Sequence, residues 1–251
     1  MISWDPSPIA FEIFSFPIYW YSIFFAIGFL LAAWTVRKLT LTTIFSEEEY
    51  DRFVWYIFLG MLIGARLGHI LFYDLSGYLE HPTEIFMIRN GGLASHGAGV
   101  GMLISLWIFC KRYKKNILQL LDPLALAAPL AGGFIRIGNF FNQEIVGTPS
   151  SLPWAVLFGH PMENIPPVAV HPVQLYEALF YFLLFGYGCY LYPLKNPGKL
   201  TGILVLILFI GRFLLEFLKF NNSQVFSTGQ LLSIPFIALA IYLLLDKKSK
   251  A

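Results

Sequence analysis

The chain has 251 residues, of which 57% are hydrophobic, 18% aromatic and only 13% charged. So few charged side chains could not keep a folded surface in water, which excludes an ordinary soluble domain and points to an integral membrane protein. The formal net charge of +2 is too small to imply a nucleic-acid partner, so the position of the charges matters more than their sum.

A bilayer-spanning helix needs about 20 mainly apolar residues. Seven stretches meet that requirement, at 17–36, 54–73, 92–110, 117–138, 173–192, 200–219 and 228–245. All read as helices, because open strands would leave backbone groups unpaired in hydrocarbon and no ten-residue alternation suggests a barrel. The expected fold is an all-α integral membrane protein with seven transmembrane helices, a single polytopic domain over residues 1–251. Asp5 and Glu12, with no Lys or Arg, precede the first apolar run, and no small-residue cleavage site follows it. Both facts argue against a removable signal peptide. Ser46, three residues before Glu49, predicts a capping box opening the second helix. Residues 139–172 carry Pro149, Pro153, Pro161, Pro166 and Pro167 and read as an arm outside the membrane. Cys110 and Cys189 follow no metal or redox spacing and read as packing residues.

Basic residues follow the first, third, fifth and seventh helices: Arg37, Lys38 and Arg52; Lys111, Arg112, Lys114 and Lys115; Lys195 and Lys199; Lys247, Lys248 and Lys250. The opposite loops hold little more than Arg89 and Lys219. The positive-inside rule then puts the N-terminus outside and the C-terminus in the cytoplasm. Tyr19, Trp20, Tyr21 and Tyr73 fall in the outer aromatic belt.

A charged side chain at mid-membrane costs about 2.5–3.5 kcal/mol on insertion scales, so such residues are usually functional or paired. Arg66, His69, His96, Asp122, Arg136, Glu177, Arg212 and Glu216 lie within or at the ends of the predicted spans. In the orientation above, all but Asp122 belong to the outer halves of their helices, which suggests one polar site open to the outer leaflet. Arg212 and Glu216 are four residues apart and could also simply pair. Asp122, beside Pro123, reads as an inner-end cap or turn residue, and His69 reads equally well as an interfacial packing residue. Arg66, Arg136 and Arg212 outnumber the nearby acids Glu177 and Glu216, and a phosphate is the natural counter-ion for the surplus guanidinium. The run "GGLASHGAGVG", Gly91 to Gly101, surrounds His96 with glycine, which suits either tight helix packing or close approach of a ligand. His96 is the candidate general base.

These residues fall into separated motifs that together resemble the bacterial phosphatidylglycerol:prolipoprotein diacylglyceryl transferase family along nearly the whole chain. The most specific is the signature containing Arg136, Gly138, Asn139, Phe140, Asn142, Glu144 and Gly147, with Ile135 standing where the family has glycine. The others are "WYS" with Trp20 and Tyr21, "ARLGHILFYD" from Ala65, "GGLASHG" with His96, "HPVQLYE" ending at Glu177, "GRFLLEF" with Arg212 and Glu216, and "GQLLSIP" from Gly229. The resemblance implies transfer of a diacylglyceryl group from phosphatidylglycerol to the lipobox cysteine thiol of an exported preprolipoprotein, with release of glycerol phosphate. The enzyme would sit among membrane lipids in the bacterial cytoplasmic (inner) membrane, with its site facing the outer leaflet and residues 139–172 as an arm over it. By the same resemblance Arg136 and Arg212 are the best candidates for the phosphate, and His96 for a base or substrate-orienting group. Tyr21, Asn139, Asn142, Glu144, Glu177 and Glu216 would orient the headgroup or hold the arginines. The reaction calls for no metal or cofactor, and His69, His96 and the acids lie on different helices with no ligand spacing.

Three other classes share parts of this pattern, one of them a noncatalytic assembly protein with paired structural charges, in which a swap such as Arg136→Lys would be tolerated. A transporter would carry polar residues at every depth, whereas the inner halves here hold almost none apart from Asp122. An outer-facing lipid hydrolase would share the arginines and need no peptide acceptor.

Overall fold

Each of the seven apolar runs forms the body of a helix in the computed structural model, which describes residues 1–87, 91–162, 167–192, 196–220 and 227–245. The long helices are α1 (Trp20–Thr40) and α2 (Glu47–Tyr73), followed by the short α3 (Leu75–Glu80), then α4 (Ser95–Tyr113), α5 (Ile117–Phe141), α6 (Val173–Leu191), α7 (Lys199–Leu215) and α8 (Thr228–Leu245). Four segments are long and apolar enough to cross a membrane: α1, α2, α5, and α7 with its terminal turn to Leu218. Both α4 and α6 have 19 residues. Their apolar character is diluted by Ser, Gly and His96 in one and by Gln174, Glu177 and tyrosines in the other. Of the basic and proline residues singled out in the sequence, Arg89, Pro166, Lys195, Lys247, Lys248 and Lys250 lie outside the described residues.

The all-α expectation needs correction outside the helices. Strand β1 (Ile2–Trp4) pairs in parallel with β4 (Val156–Phe158), while β2 (Ile9–Ile13) and β3 (Phe16–Tyr19) form an antiparallel hairpin. These segments are rich in β-branched and aromatic residues. Beyond the ends of the apolar helices, water can satisfy the strand edges that hydrocarbon would leave unpaired.

The described contacts divide the chain into two compact units, one of Met1–Val36 with Leu121–Ala251 and the other of Arg37–Leu120. In the second unit, α2 and α4 approach until their backbones touch. A Cβ placed on Gly101 would lie 2.8 Å from Gly64 Cα, and one on Gly97 would lie 2.9 Å from Gly68 Cα. Gly60, Gly64 and Gly68 thus face Gly97, Gly101 and Ser105 as a small-xxx-small seam, which permits close packing in lipid where apolar burial alone gives no preference. The predicted capping box is present: Glu49 N–H donates to Ser46 Oγ at 3.3 Å, and Ser46 N–H to Glu49 Oε2 at 3.1 Å. Lys115 then reaches the same carboxylate at 2.9 Å.

In the first unit, α5 continues as helix straight through Ile135 and carries Pro123 and Pro129 within it. Asp122 acts as a cap, but for a different helix. Its carboxylate accepts from Gly198 N–H at 2.8 Å and from the Thr201 N–H and hydroxyl at 2.8 and 2.6 Å, closing the N-terminus of α7. A negative charge at that position also complements the helix dipole. At the end of α5, Phe140 joins Val146, Val156, Phe158 and Val170 in a small core, with Trp4, Phe141 and Phe220 against it. The chain's first residues hold this cluster down: the Met1 amine donates to Pro153 O at 2.8 Å, and the Trp4 ring lies 4.6 Å from that of Phe140.

Candidate active site

The polar residues of the signature meet those of α6 and α7 within the first unit. Arg136 sits in the last two turns of α5, and its Nε lies 2.9 Å from Glu177 Oε2 near the start of α6. Glu177 is fully buried, so an unmatched carboxylate there would be costly. Its other oxygen lies 3.0 Å from Lys219 Nζ, and Lys219 in turn lies 2.9 Å from Glu216 Oε2. Both contacts on Glu177 are ion pairs. On the other side, Arg136 Nη1 donates to Asn139 Oδ1 at 3.0 Å, and Asn139 Nδ2 donates to Glu144 Oε1 at 2.8 Å. Asn142 reaches the same oxygen at 3.5 Å. An alternating chain therefore runs Glu216, Lys219, Glu177, Arg136, Asn139, Glu144.

Backbone geometry fixes the acidic end of this chain. Gln143 and Ile145, on either side of Glu144, both have positive φ, at 55° and 56°. Such conformations cost about 1–3 kcal/mol each for non-glycine residues and persist only when their surroundings impose them. Here Gln143 is fully buried, its amide donating to Pro6 O at 3.1 Å and its Oε1 accepting from His160 N–H at 2.7 Å. Gln174 Nε2 holds the Glu144 carbonyl at 2.7 Å. Gly147 closes the turn against the strand-like segment carrying Lys219. A Cβ at Gly147 would lie 2.6 Å from both His171 Cβ and Val173 Cγ2, so the position admits only glycine.

Arg212, near the end of α7, interacts with Tyr181, Glu177 and Glu216. Among the described residues it makes no direct ion pair; Glu216, four residues on, pairs with Lys219 instead. Tyr21 lies within the fields of Glu144 and Arg136, with its backbone and ring against Gly138. Asn142 Oδ1 and Gln174 Oε1 are buried acceptors with no hydrogen-bond partner. Arg136, Asn139, Asn142, Glu144, Glu177, Arg212, Glu216 and Tyr21 are thus gathered in one place.

Arg66 and His96 belong to the second unit. Arg66, expected among the phosphate-facing arginines, is buried and donates to backbone carbonyls: Nε to Ile85 at 2.9 Å, Nη1 to Gly91 at 2.7 Å and Gly92 at 3.1 Å, and Nη2 to Glu84. The Tyr78 ring covers it at 4.9 Å. These bonds organise the segment before α4 and leave little for a phosphate. His96 is exposed in the first turn of α4, and among the described residues no hydrogen bond engages its side chain. His69 stacks on Tyr73 with ring centroids 5.6 Å apart, a packing role.

Sequence reasoning missed Lys219, which it counted as a loop charge, and Gln174. Both signals were available: Lys219 follows Arg212 and Glu216 at helical spacing, and Gln174 precedes Glu177 by one turn.

The apolar helices and the buried chain of alternating charges define an integral membrane protein with a polar site where α5, α6 and α7 meet. The chain belongs to the prolipoprotein diacylglyceryl transferase family, whose model matches residues 8–245. It is 39% identical over 261 residues to the phosphatidylglycerol–prolipoprotein diacylglyceryl transferase of Tolumonas auensis, covering all of both chains. It is 36% identical to the protein of the same name from Porphyromonas gingivalis, covering 97% of this chain and 94% of that one. The Bacteroides fragilis protein of that name is 38% identical, covering 96% and 93%.

Proposed function

We propose that the chain moves the diacylglyceryl group of phosphatidylglycerol onto the thiol of a lipobox cysteine in an exported preprolipoprotein, releasing glycerol phosphate. Membership of the family and the names of the similar proteins support the reaction class and the two substrates. The observation that carries the phosphate assignment is Arg212: the neighbouring acids pair directly with Lys219 and Arg136, and among the described residues Arg212 itself makes no direct ion pair, so an incoming anion is the counter-charge it lacks.

In this reading the phosphodiester of the lipid lies against Arg212, with Arg136 as its second contact. The thiolate of the acceptor attacks the glyceryl carbon bonded to the phosphate oxygen. A carbon–sulfur bond forms, the carbon–oxygen bond breaks, and glycerol phosphate leaves with the electron pair. The leaving group gains negative charge as it departs, and fixed guanidinium groups stabilise that charge more in the transition state than in the bound lipid. The thiol must lose its proton, since the thiolate is the nucleophile, and His96 is our candidate for the base or for a substrate-orienting group, on the resemblance of its motif alone. Asn142 and Gln174 each offer a buried, unpaired acceptor oxygen suited to a hydroxyl of the glycerol headgroup. Glu177, Glu216, Asn139 and Glu144 hold the cations in place, Tyr21 lines the headgroup side, and Arg66 orders the segment before α4.

The same reading takes all seven long helices as spans, with the basic ends of α1 (Arg37, Lys38) and α4 (Lys111, Arg112) in the cytoplasm of a bacterial inner membrane. The site at the end of α5 then opens to the outer leaflet, and the arm from Asn139 to Pro172 covers it. Incubating purified protein with phosphatidylglycerol labelled in its acyl chains and a lipobox peptide tests the function. Label should reach the peptide only when its cysteine is intact; lipid consumption without labelled peptide would make the protein a hydrolase.

A further inference from the structure

We propose that the β2–β3 hairpin is an interfacial anchor that buries an apolar face at the boundary between headgroups and acyl chains of a glycerophospholipid bilayer. The inference rests on the membrane reading above and adds a lipid-binding element outside the charged site. In the hairpin Phe11 lies opposite Ile18, Glu12 opposite Pro17 and Ile13 opposite Phe16. Side chains alternate along a strand, so Phe11, Ile13, Phe16 and Ile18 share one face while Glu12 and Pro17 share the other. Much of the apolar face is exposed: Phe11, Ile13 and Phe16 are 50%, 48% and 54% exposed. At the tip, Phe14 and Ser15 take positive φ, and Phe14 is 93% exposed. A two-stranded hairpin is barely stable in water even when its side chains are polar, so this face needs an apolar partner.

Chain continuity identifies that partner. Tyr19 ends β3 and Trp20 begins α1, a helix long and apolar enough to cross a membrane. The Trp20 N–H donates to Pro8 O at 3.0 Å, tying the base of the hairpin to the head of that helix. At about 3.3 Å per residue the tip can stand no more than roughly 20 Å from Trp20, so the interface at the head of α1 lies within the reach of the hairpin. Glu12 is its one charged residue, and it lies on the other face. Aromatic and aliphatic side chains on one face, with the single charge of Glu12 on the other, suit burial in the plane of the interface.

The test uses full-length protein with Cys110→Ala and Cys189→Ala, one molecule per phosphatidylglycerol/phosphatidylethanolamine nanodisc, nitroxide-labelled singly at Phe14→Cys, Phe16→Cys or Glu12→Cys. Leu30→Cys on α1, where leucine is 65% exposed, gives the lipid reference, and Ser151→Cys on the arm gives the aqueous one. Accessibility is read as collision with oxygen against collision with a water-soluble nickel chelate. Labels at 14 and 16 should resemble position 30, with an oxygen-to-nickel ratio several-fold above that at 151, while the label at 12 resembles 151. Labels at 14 and 16 that match 151 while position 30 reports lipid would overturn the anchor alone. Protection from both reagents would also overturn it, in favour of a protein partner. If position 30 itself is aqueous, the membrane reading fails and the anchor falls with it.

Discussion

Lys219 Nζ lies 3.0 Å from Glu177 Oε1 and 2.9 Å from Glu216 Oε2, so one ammonium joins carboxylates from two helices. Both acids are largely shielded from water, with side-chain exposures of 0% and 12%. Removing one member of such a group strands a buried charge and costs about 3–5 kcal/mol. Lys219→Met should therefore lower the thermal midpoint in detergent markedly, and adding Glu216→Gln should restore part of the loss. A Lys219→Met protein as stable as the parent would contradict the arrangement.

Arg136 and Arg212 are assigned to phosphate, a role that depends on the planar fork of guanidinium as well as its charge. Arg212→Lys keeps the charge and should still lower turnover about 10²-fold, in the range for losing one preorganised donor to a developing anion. Arg136→Lys should lower turnover similarly and, by loosening the contact with Glu177, also reduce stability. Initial rates at saturating lipid, set beside melting curves, separate the two effects.

His96→Gln should lower kcat about 10²–10⁴-fold with KM for lipid unchanged, the result expected when a general base is lost. A rise in KM with kcat preserved would assign His96 to substrate orientation. Steady-state rates over a range of lipid concentrations decide between these roles.

The glycines of α4 should divide by position. A Cβ at Gly97 meets the backbone of α2, including Gly68 Cα at 2.9 Å, whereas a Cβ at Gly99 meets nothing within 4 Å. Gly97→Ala forces the helices apart and should cost about 1–3 kcal/mol. Gly99→Ala should be neutral or stabilise by up to about 1 kcal/mol, the helix-propensity difference between the two residues. Unfolding midpoints of the two variants give the comparison.

The parts of the fold that were legible in sequence are those set by short-range rules. Apolar length placed the helices, the Ser46 and Glu49 spacing gave a capping box, and the residues from Arg136 to Gly147 marked one polar cluster. The capping character of Asp122 was also readable, although the helix it caps begins 77 residues later. What escaped depended on contacts between distant segments. Strands of three to five residues carry too little periodicity to announce themselves, and β1 finds its partner only at Val156. The carbonyls that take up Arg66 lie 18 to 26 residues along the chain, so counting charge made it a surplus cation. Lys219 looked like a loop charge because the turn that carries it inward follows the end of α7. Once it faces Glu216, the i, i+4 pairing with Arg212 is displaced.

The most direct test of the central claim is to quantify thioether-linked diacylglyceryl peptide and glycerol phosphate together, using purified protein, phosphatidylglycerol and a lipobox peptide, for the parent and for Arg212→Gln. The parent should yield the two products in equal amounts, none with a Cys-to-Ser peptide, and Arg212→Gln should lose both in parallel while remaining folded. Equal product formation by a folded Arg212→Gln protein would contradict the placing of the phosphate at the end of α7.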